Sequence, residues 1–391
     1  MTELSPVLSQ FYYVLTHNDQ AVYFLTMQDK MRFFVYPLLT TVVCMALSAG
    51  AIWLYAGTIR LPQALISPGS PLQNSTMSSM DQLDEVPVTL IPLNGPVSRP
   101  DAELSGLAWY GDWLILLPQY PARFGQDGGV LFALNKSEII NYLNGRTSAP
   151  LKPREIPLVT GGVEDDIWLF EGFEAIAFLG EQVFMTIEAR NLLGMKGYLI
   201  SGRVAPDLSE MRLEPASLVE NKPQMNLGNK SDEALLIVQD SILTLYEANG
   251  ALNSDPHATR FALSLQPQGR IPFPHLEYRL TDATAPDAGG RFWVLNVHYF
   301  GERALEPSSD PLAERYGEGA THARSTSVER LVELQYHPNG ITFTETPPVQ
   351  LELVYQVGPR NWEGLALLDG LGFLLVTDKF PGTLLSFVPY H

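Results

Sequence analysis

The stretch NWEGLALLDGLGFLLVTDK, residues 361–379, sets two apolar runs around a Gly-rich turn, with Glu363 at one end and Asp378 at the other. Short apolar runs bounded by turn signals read as strands, and DGLG between them reads as the turn of a β-hairpin. Antiparallel pairing places the start of the first strand beside the end of the second, so the two acids share the open end. Four relatives lie upstream: SGLAWYGDWLILLPQ (residues 105–119), EAIAFLGEQVFMTIE (174–188), EALLIVQDSILTLYE (233–247) and DATAPDAGGRFWVLN (282–296). Each opens on a polar residue, four of the five being acidic, and closes on a carboxylate or amide. The spacing from first to last is 14 residues in these four and 15 from Glu363 to Asp378.

Recurrence of one hairpin length along a chain is the mark of a repeat architecture. Successive starts are 69, 59, 49 and 81 residues apart, which leaves room for two further strands in each repeat. Third strands are read in GVLFALN, GYLISGRV, RFALSL, RLVELQY and TLLSFVPY; fourth strands in EIPLV, RLEPASLV, PHLEYRL and PVQLELVY. The last repeat ends with the sequence and lacks a fourth strand, but EVPVTLIPL, from Glu85, precedes the first. An N-terminal strand that completes the C-terminal sheet closes a circular propeller and removes an exposed edge. The sequence therefore predicts an all-β fold, a β-propeller of five four-stranded blades. Six blades are the alternative, because the gap between Asp282 and Glu363 has room for another; the five-blade reading gives that surplus to an insertion, VHYFGERALEPSSDPLAERYGEGATHARST.

Composition agrees with a folded β protein. Of 391 residues 46% are hydrophobic and 17% charged, which excludes a disordered chain, and 31 Gly with 30 Pro imply many turns. The net charge of −18 argues against nucleic acid as a partner. The single cysteine, Cys44, excludes an internal disulfide and any Cys-based zinc site. There is no G-x-S-x-G, H-E-x-x-H, P-loop or dinucleotide fingerprint.

Residues 33–57, FFVYPLLTTVVCMALSAGAIWLYAG, are uncharged and long enough to span a bilayer, with Tyr36, Trp53 and Tyr55 near the ends. The expected organisation is an N-terminal tail (1–32), a single transmembrane helix (33–57), a flexible linker (58–84) and the propeller (85–391). Lys30 and Arg32 flank one side of the span and Arg60 the other, which places the propeller outside the cytoplasm. In the tail, FYYVL and AVYFL fit an interfacial helix or a short packed segment.

The first strand of a propeller blade lines the central channel, so the hairpin ends gather at one mouth. Crowded carboxylates repel, and a bound hard cation such as Ca²⁺ is one compensation, raised pKa values another, simple exposure a third. The candidate metal ligands are Glu174, Glu233, Asp282 and Glu363, then Glu188, Asn296 and Asp378. Loops on the same face carry Tyr120, Arg123, Arg190, His257, Arg260, Tyr299, Arg303 and Lys379. Arg123, Arg190 and Lys379 are candidates for binding a small anionic substrate, and His298 is the candidate general base.

The hairpins EGLALLDGLGFLLVTDK and FEAIAFLGEQVFMTIEAR resemble the strand pairs of the phytase-like ("esterase-like activity of phytase") β-propellers and, more distantly, the calcium-dependent propellers of the paraoxonase and gluconolactonase kind. The resemblance spans about residues 85–391. It implies a calcium in or near the channel and hydrolysis of an ester or phosphoester, with Glu174, Glu233 and Glu363 matching the motif acid, Asp282 matching more loosely, and Ser105 departing. The alternative function is a non-catalytic, membrane-tethered binding or assembly propeller with a protein partner.

Overall fold

The computed structural model describes residues 83–390 apart from 193, 300 and 355–357, together with two short strands near the N-terminus. The chain divides into two units, Met1–Ser75 and Thr76–His391. In the first, β1 (Val14–Leu15) and β2 (Tyr23–Phe24) pair antiparallel, Val14 opposite Phe24. Each aromatic tail segment thus contributes a short paired strand, where the sequence left an interfacial helix or a short packed segment open. The predicted membrane span, residues 33–57, lies outside the described residues. Among the described residues no helix is long and apolar enough to cross a membrane.

The second unit is all-β. It opens with β3 (Glu85–Val86) and β4 (Thr89–Ile91). Next, β5 (Leu104–Tyr110), β6 (Trp113–Pro118), β7 (Val130–Asn135) and β8 (Arg154–Val159) pair in chain order. They are followed by β9 (Phe170–Leu179), β10 (Gln182–Asn191), β11 (Gly194–Val204) and β12 (Met211–Leu213), with β13 (Val219–Asn221) also on β11. A short parallel contact between β12 and β8 joins these two groups into one nine-stranded sheet. A third group is β14 (Asp232–Val238), β15 (Ser241–Tyr246), β16 (His257–Ala262) and β17 (Pro267–Pro272). The fourth is β18 (Arg279–Ala283), β19 (Arg291–His298) and β20 (Val328–His337), on which β21 (Gly340–Phe343) and β22 (Val349–Leu351) both pair. The last is β23 (Trp362–Leu368), β24 (Gly372–Thr377) and β25 (Leu385–Pro389).

The first strands pack side by side in a cycle: β5 on β9, β9 on β14, β14 on β18, β18 on β23, and β23 back on β5. Gly364 permits the last of these approaches, since a Cβ there would stand 3.1 Å from the Gly106 carbonyl carbon and 3.0 Å from Leu107 Cγ. This propeller-type arrangement explains why the second strands are largely apolar. Each has a neighbouring sheet on both faces, and period-two alternation divides its side chains between them. In β6, Leu114 and Leu116 join the cluster shared with β23–β25, whereas Ile115 and Leu117 join the one shared with β9–β11. In β24, Leu374 and Val376 face β5–β7, and Phe373 and Leu375 face β19 and β20. The core is thus a series of intersheet layers around the ring.

The expected closure is present. β4 pairs antiparallel with β25, Leu90 opposite Ser386, and so completes the last sheet. The preceding strand β3 instead adds in parallel to β22, Gln350 opposite Glu85. Fourth strands depart most from expectation. PHLEYRL is not a strand; β17, seven residues earlier, fills that place, and Arg279–Ala283 already belongs to the next first strand. The segment RLEPASLV is broken by a 3₁₀ turn at Pro215–Ser217. Among the described residues of the segment 299–327 there is no strand, only short helical turns such as Pro311–Tyr316, in keeping with an insertion.

Candidate functional site

Every first strand carries a β-bulge near its start. The register of the pairs skips one residue between Leu104 and Gly106, Asp232 and Ala234, Leu280 and Asp282, and Trp362 and Gly364. In β9 it skips Glu174 and Ala175, opposite Thr186. A bulge re-aims the extra side chain, and the residues at this position are Ser105, Glu174, Glu233, Thr281 and Glu363. Four of them, together with Gln119, Glu188 and Asp378 from the ends of the second strands, line a cavity of 570 Å³ at the open end of the hairpins. Lys230, Arg279, Tyr299, Glu302 and Asn361 complete much of its wall.

The register corrects two assignments. In the fourth sheet the bulged residue is Thr281, and Asp282 takes the place of Gly106, Ala175, Ala234 and Gly364 in the other sheets. Asp282 is buried below the cavity, where its carboxyl accepts the backbone N–H of Leu365 at 2.7 Å, of Ala283 at 2.7 Å and of Leu107 at 3.5 Å. It ties three first strands together. Asn296 likewise sits one residue short of the mouth: its amide donates to the carbonyls of Glu277 and Arg279 and accepts from Arg330 Nε at 2.7 Å. The spacing of 14 residues from Asp282 to Asn296 is coincidental; the matching pair is Thr281 and Val297.

Glu174, Glu188, Glu233, Glu363 and Asp378 do converge. Their compensation comes from two buried cations. The Arg279 guanidinium donates to Glu247, to Glu363 Oε1 at 2.6 Å and to Asn361 Oδ1 at 2.7 Å, with Glu302 Oε1 at 3.4 Å. Lys230 Nζ lies 3.2 Å from both Glu247 Oε1 and Glu302 Oε1. Even beside these cations burial dominates. It lifts the Glu188 and Glu363 carboxyls to about 8 each, reinforced for Glu188 by the charge of Glu247 and opposed for Glu363 by Arg279. Glu174 and Glu233 are pushed well above the usual carboxylate range by burial and by neighbouring acids. Asp378 is raised by burial, against the Lys379 N–H and the Asn361 amide, which hold it down. Burial and crowding thus favour the protonated form of these carboxyls, in which each can donate as well as accept a hydrogen bond.

This arrangement does not fit a calcium ion. Glu363 and Glu247 are committed to Arg279, Glu174 Oε1 accepts from Gln119 at 3.0 Å, and Asp282 and Asn296 lie elsewhere. Among the described residues no group of three or more His, Asp or Glu side chains is placed to hold a metal. The outer basic residues are also engaged. Arg123 lies 2.7 Å from Glu103 and stacks on Tyr120, Lys379 approaches the same Glu103, and Arg190 pairs with Glu171 at 2.9 Å. None of the three lines the cavity. His298 is buried against the Tyr278 ring, also outside the cavity wall, with its pKa lowered by burial. His257 is tied to the Asp255 carbonyl at 2.6 Å, and Arg260 donates to Ser241. Of the loop candidates, Tyr299 reaches the cavity. Arg279, Lys230, Glu302, Asn361 and Thr281 went unrecognised in the sequence. The one available signal was the run Leu280-Thr281-Asp282, which aligns with Leu104-Ser105-Gly106 and places Arg279 two residues before the bulge.

No family model matches the sequence, and no curated protein matches it; the phytase-like resemblance finds no support there. Among solved structures, a putative glycosidase from Bacteroides thetaiotaomicron is 10% identical, with 81% of this chain and 95% of that chain covered and a TM-score of 0.42. A glycoside hydrolase of the GH130 mannoside phosphorylase family is 9% identical, with coverages of 78% and 94% and a TM-score of 0.42. An α-L-arabinanase from Cellvibrio cellulosa is 12% identical, with coverages of 75% and 93% and a TM-score of 0.40. At these scores the similarity is distant and carries no argument about chemistry.

Proposed function

We propose that the body is a five-bladed propeller that hydrolyses glycosidic bonds at the acidic mouth of its channel. The observation that carries this is the pair Glu363 and Asp378. They share the open end of one hairpin, both line the cavity, and each keeps one buried oxygen, Glu363 Oε2 and Asp378 Oδ1, without a hydrogen-bond partner among the described residues. A pair of carboxyls at one site is what general acid–base cleavage of a glycoside uses. Glu363, its carboxyl pushed up to about 8 by burial, supplies the proton to the leaving oxygen; Asp378, raised by burial and held back by the Lys379 N–H, is the second carboxyl of the pair. Glu247, Glu302 and Glu363 already engage Arg279 and Lys230, and among the described residues of the wall no cation is left over for a phosphoester. A neutral, polyhydroxylated substrate suits neutral carboxyls, Gln119 and Asn361 better.

The test is turnover of a panel of neutral aryl glycosides by the full-length protein, with Glu363→Gln and Asp378→Asn each expected to lower kcat by about 10²–10⁴-fold. Absence of turnover with every glycoside, in a protein that binds free sugars, would favour the second reading, a non-catalytic binding propeller. That reading is supported by the way Arg279 locks Glu247, Glu363 and Asn361 together across the mouth. The single-pass, outward-facing topology is part of the proposal and rests on the apolar run 33–57 with Lys30 and Arg32 beside it. A reporter fused after His391 and active only in the cytoplasm would overturn it.

A further inference from the structure

The first strands carry their channel-facing side chains in tiers. The polar tier of Ser105, Glu174, Glu233, Thr281 and Glu363 is followed by Leu107, Ile176, Leu235, Ala283 and Leu365, all buried. Beyond them come Trp109, Phe178, Ile237, Ala285 and Leu367, at the end where the hairpins turn. The second and third tiers, with Trp293, Pro286 and Tyr390, line a second cavity of 660 Å³ that shares no residue with the acidic one. The waist between the two cavities is made of the buried aliphatic tier, held by Asp282 through the Leu107 and Leu365 amides.

From this we infer that the hairpin-turn mouth is a separate binding site for a small apolar ligand, an alkyl or aryl group. The volume and the aliphatic and aromatic lining are those of a small-molecule pocket. The ring is also lopsided in a way that makes room. Four sheets place Leu, Ile, Phe or Trp in the two apolar tiers, whereas the fourth places only Ala283 and Ala285. That gap is walled by Trp293, which packs edge-on against Phe373 and Tyr390. The polar groups around the cavity are already satisfied by one another. Trp109 Nε1 donates to the Leu367 carbonyl at 2.8 Å, and Lys136 pairs with Asp369 at 2.9 Å. Arg291 pairs with Asp287 at 3.0 Å, and Glu333 accepts from Thr346 Oγ1 at 2.6 Å. A ligand entering here gains by burying apolar surface, and among the described residues of the wall no buried polar atom is left unpaired to fix it.

The experiment is photolabelling of the full-length protein with a diazirine-bearing octanol, the adducts being mapped by peptide mass spectrometry. Saturable adducts on residues 107–109, 176–179, 283–287 and 365–367, displaced by excess octanol, are the expected result. Ala285→Trp fills the gap from an exposed turn and should lower labelling there about tenfold, with the melting temperature confirming a folded protein. Should that variant fail to fold, Leu367→Gln provides the same readout by wetting the wall. Labelling that never saturates, that spreads to exposed apolar residues such as Leu192 and Leu252, that is confined to residues 33–57, or that persists in the folded variant would overturn the inference.

Discussion

Arg279 Nη2 lies 2.6 Å from Glu363 Oε1, joining the first strand of the fourth sheet to that of the fifth through a buried hydrogen bond that the guanidinium donates. The same guanidinium holds Glu247 from the third. One cation therefore ties three sheets at the mouth. Removing it leaves buried acids without their counter-charge, an effect of about 3–5 kcal/mol for a broken buried pair. Arg279→Met is expected to destabilise by that amount in denaturant unfolding. Arg279→Lys should recover part of it, because an ammonium keeps the charge but cannot reach Glu247, Glu363 and Asn361 together.

The raised carboxyls set a pH dependence with a definite sign. Glu188 and Glu363 titrate near 4.5 when unfolded and near 8 when folded, so the native state holds more protons between those values. Their contribution to stability is complete below about pH 4.5 and is lost as the pH rises through about 8. Melting temperatures should fall across this window, and Glu188→Gln with Glu363→Gln should flatten the fall.

The same shift governs turnover. If Glu363 is the proton donor, kcat falls above about pH 8 as its proton is lost. Glu363→Gln abolishes that limb along with the rate, while an aryl glycoside whose leaving group needs no proton recovers part of the rate. A pH profile of wild type with both leaving groups checks this.

Asp282 offers a test away from the chemistry. Its carboxyl is buried, pushed well above the usual range by that burial, and capped by amides from three strands. Asp282→Asn keeps one accepting oxygen but sets an NH₂ group against an amide that the other oxygen accepts, so it should cost less than removal of the whole carboxyl. Asp282→Ala orphans the amides, at about 1–3 kcal/mol for each group left unsatisfied. Chemical denaturation of the two variants separates these outcomes.

Because Arg279 and Lys230 already balance the mouth, calcium and EDTA should leave the melting curve unchanged. A calcium-dependent rise would show that the acids rearrange around an ion.

The hairpins were legible because their determinants are local: apolar runs of strand length and turns such as Asp369-Gly370, both residues in the left-handed region. The closing strand was legible because a propeller needs one. The bulge was not. A one-residue shift in pairing leaves composition and spacing almost unchanged, so Asp282 and Asn296 counted as mouth residues while Thr281 and Val297, which are not acidic, passed unseen. β17 escaped because its exposed sequence Pro267–Pro272 carries one buried side chain, Ile271, and so no alternation. Arg279 escaped for a different reason: whether a guanidinium is buried depends on partners from other sheets, among them Glu247 and Glu363.

Closure by β4 against β25 has a consequence for biosynthesis. The strand that seals the ring leaves the ribosome before all the others in the second unit except β3, and its partner leaves last. At about 5–20 residues per second the sheets can form one after another, while β4 waits tens of seconds for its place. Throughout that interval the growing protein presents a free edge that another nascent copy can occupy. The final sheet is thus the step at which correct assembly competes with exchange between chains.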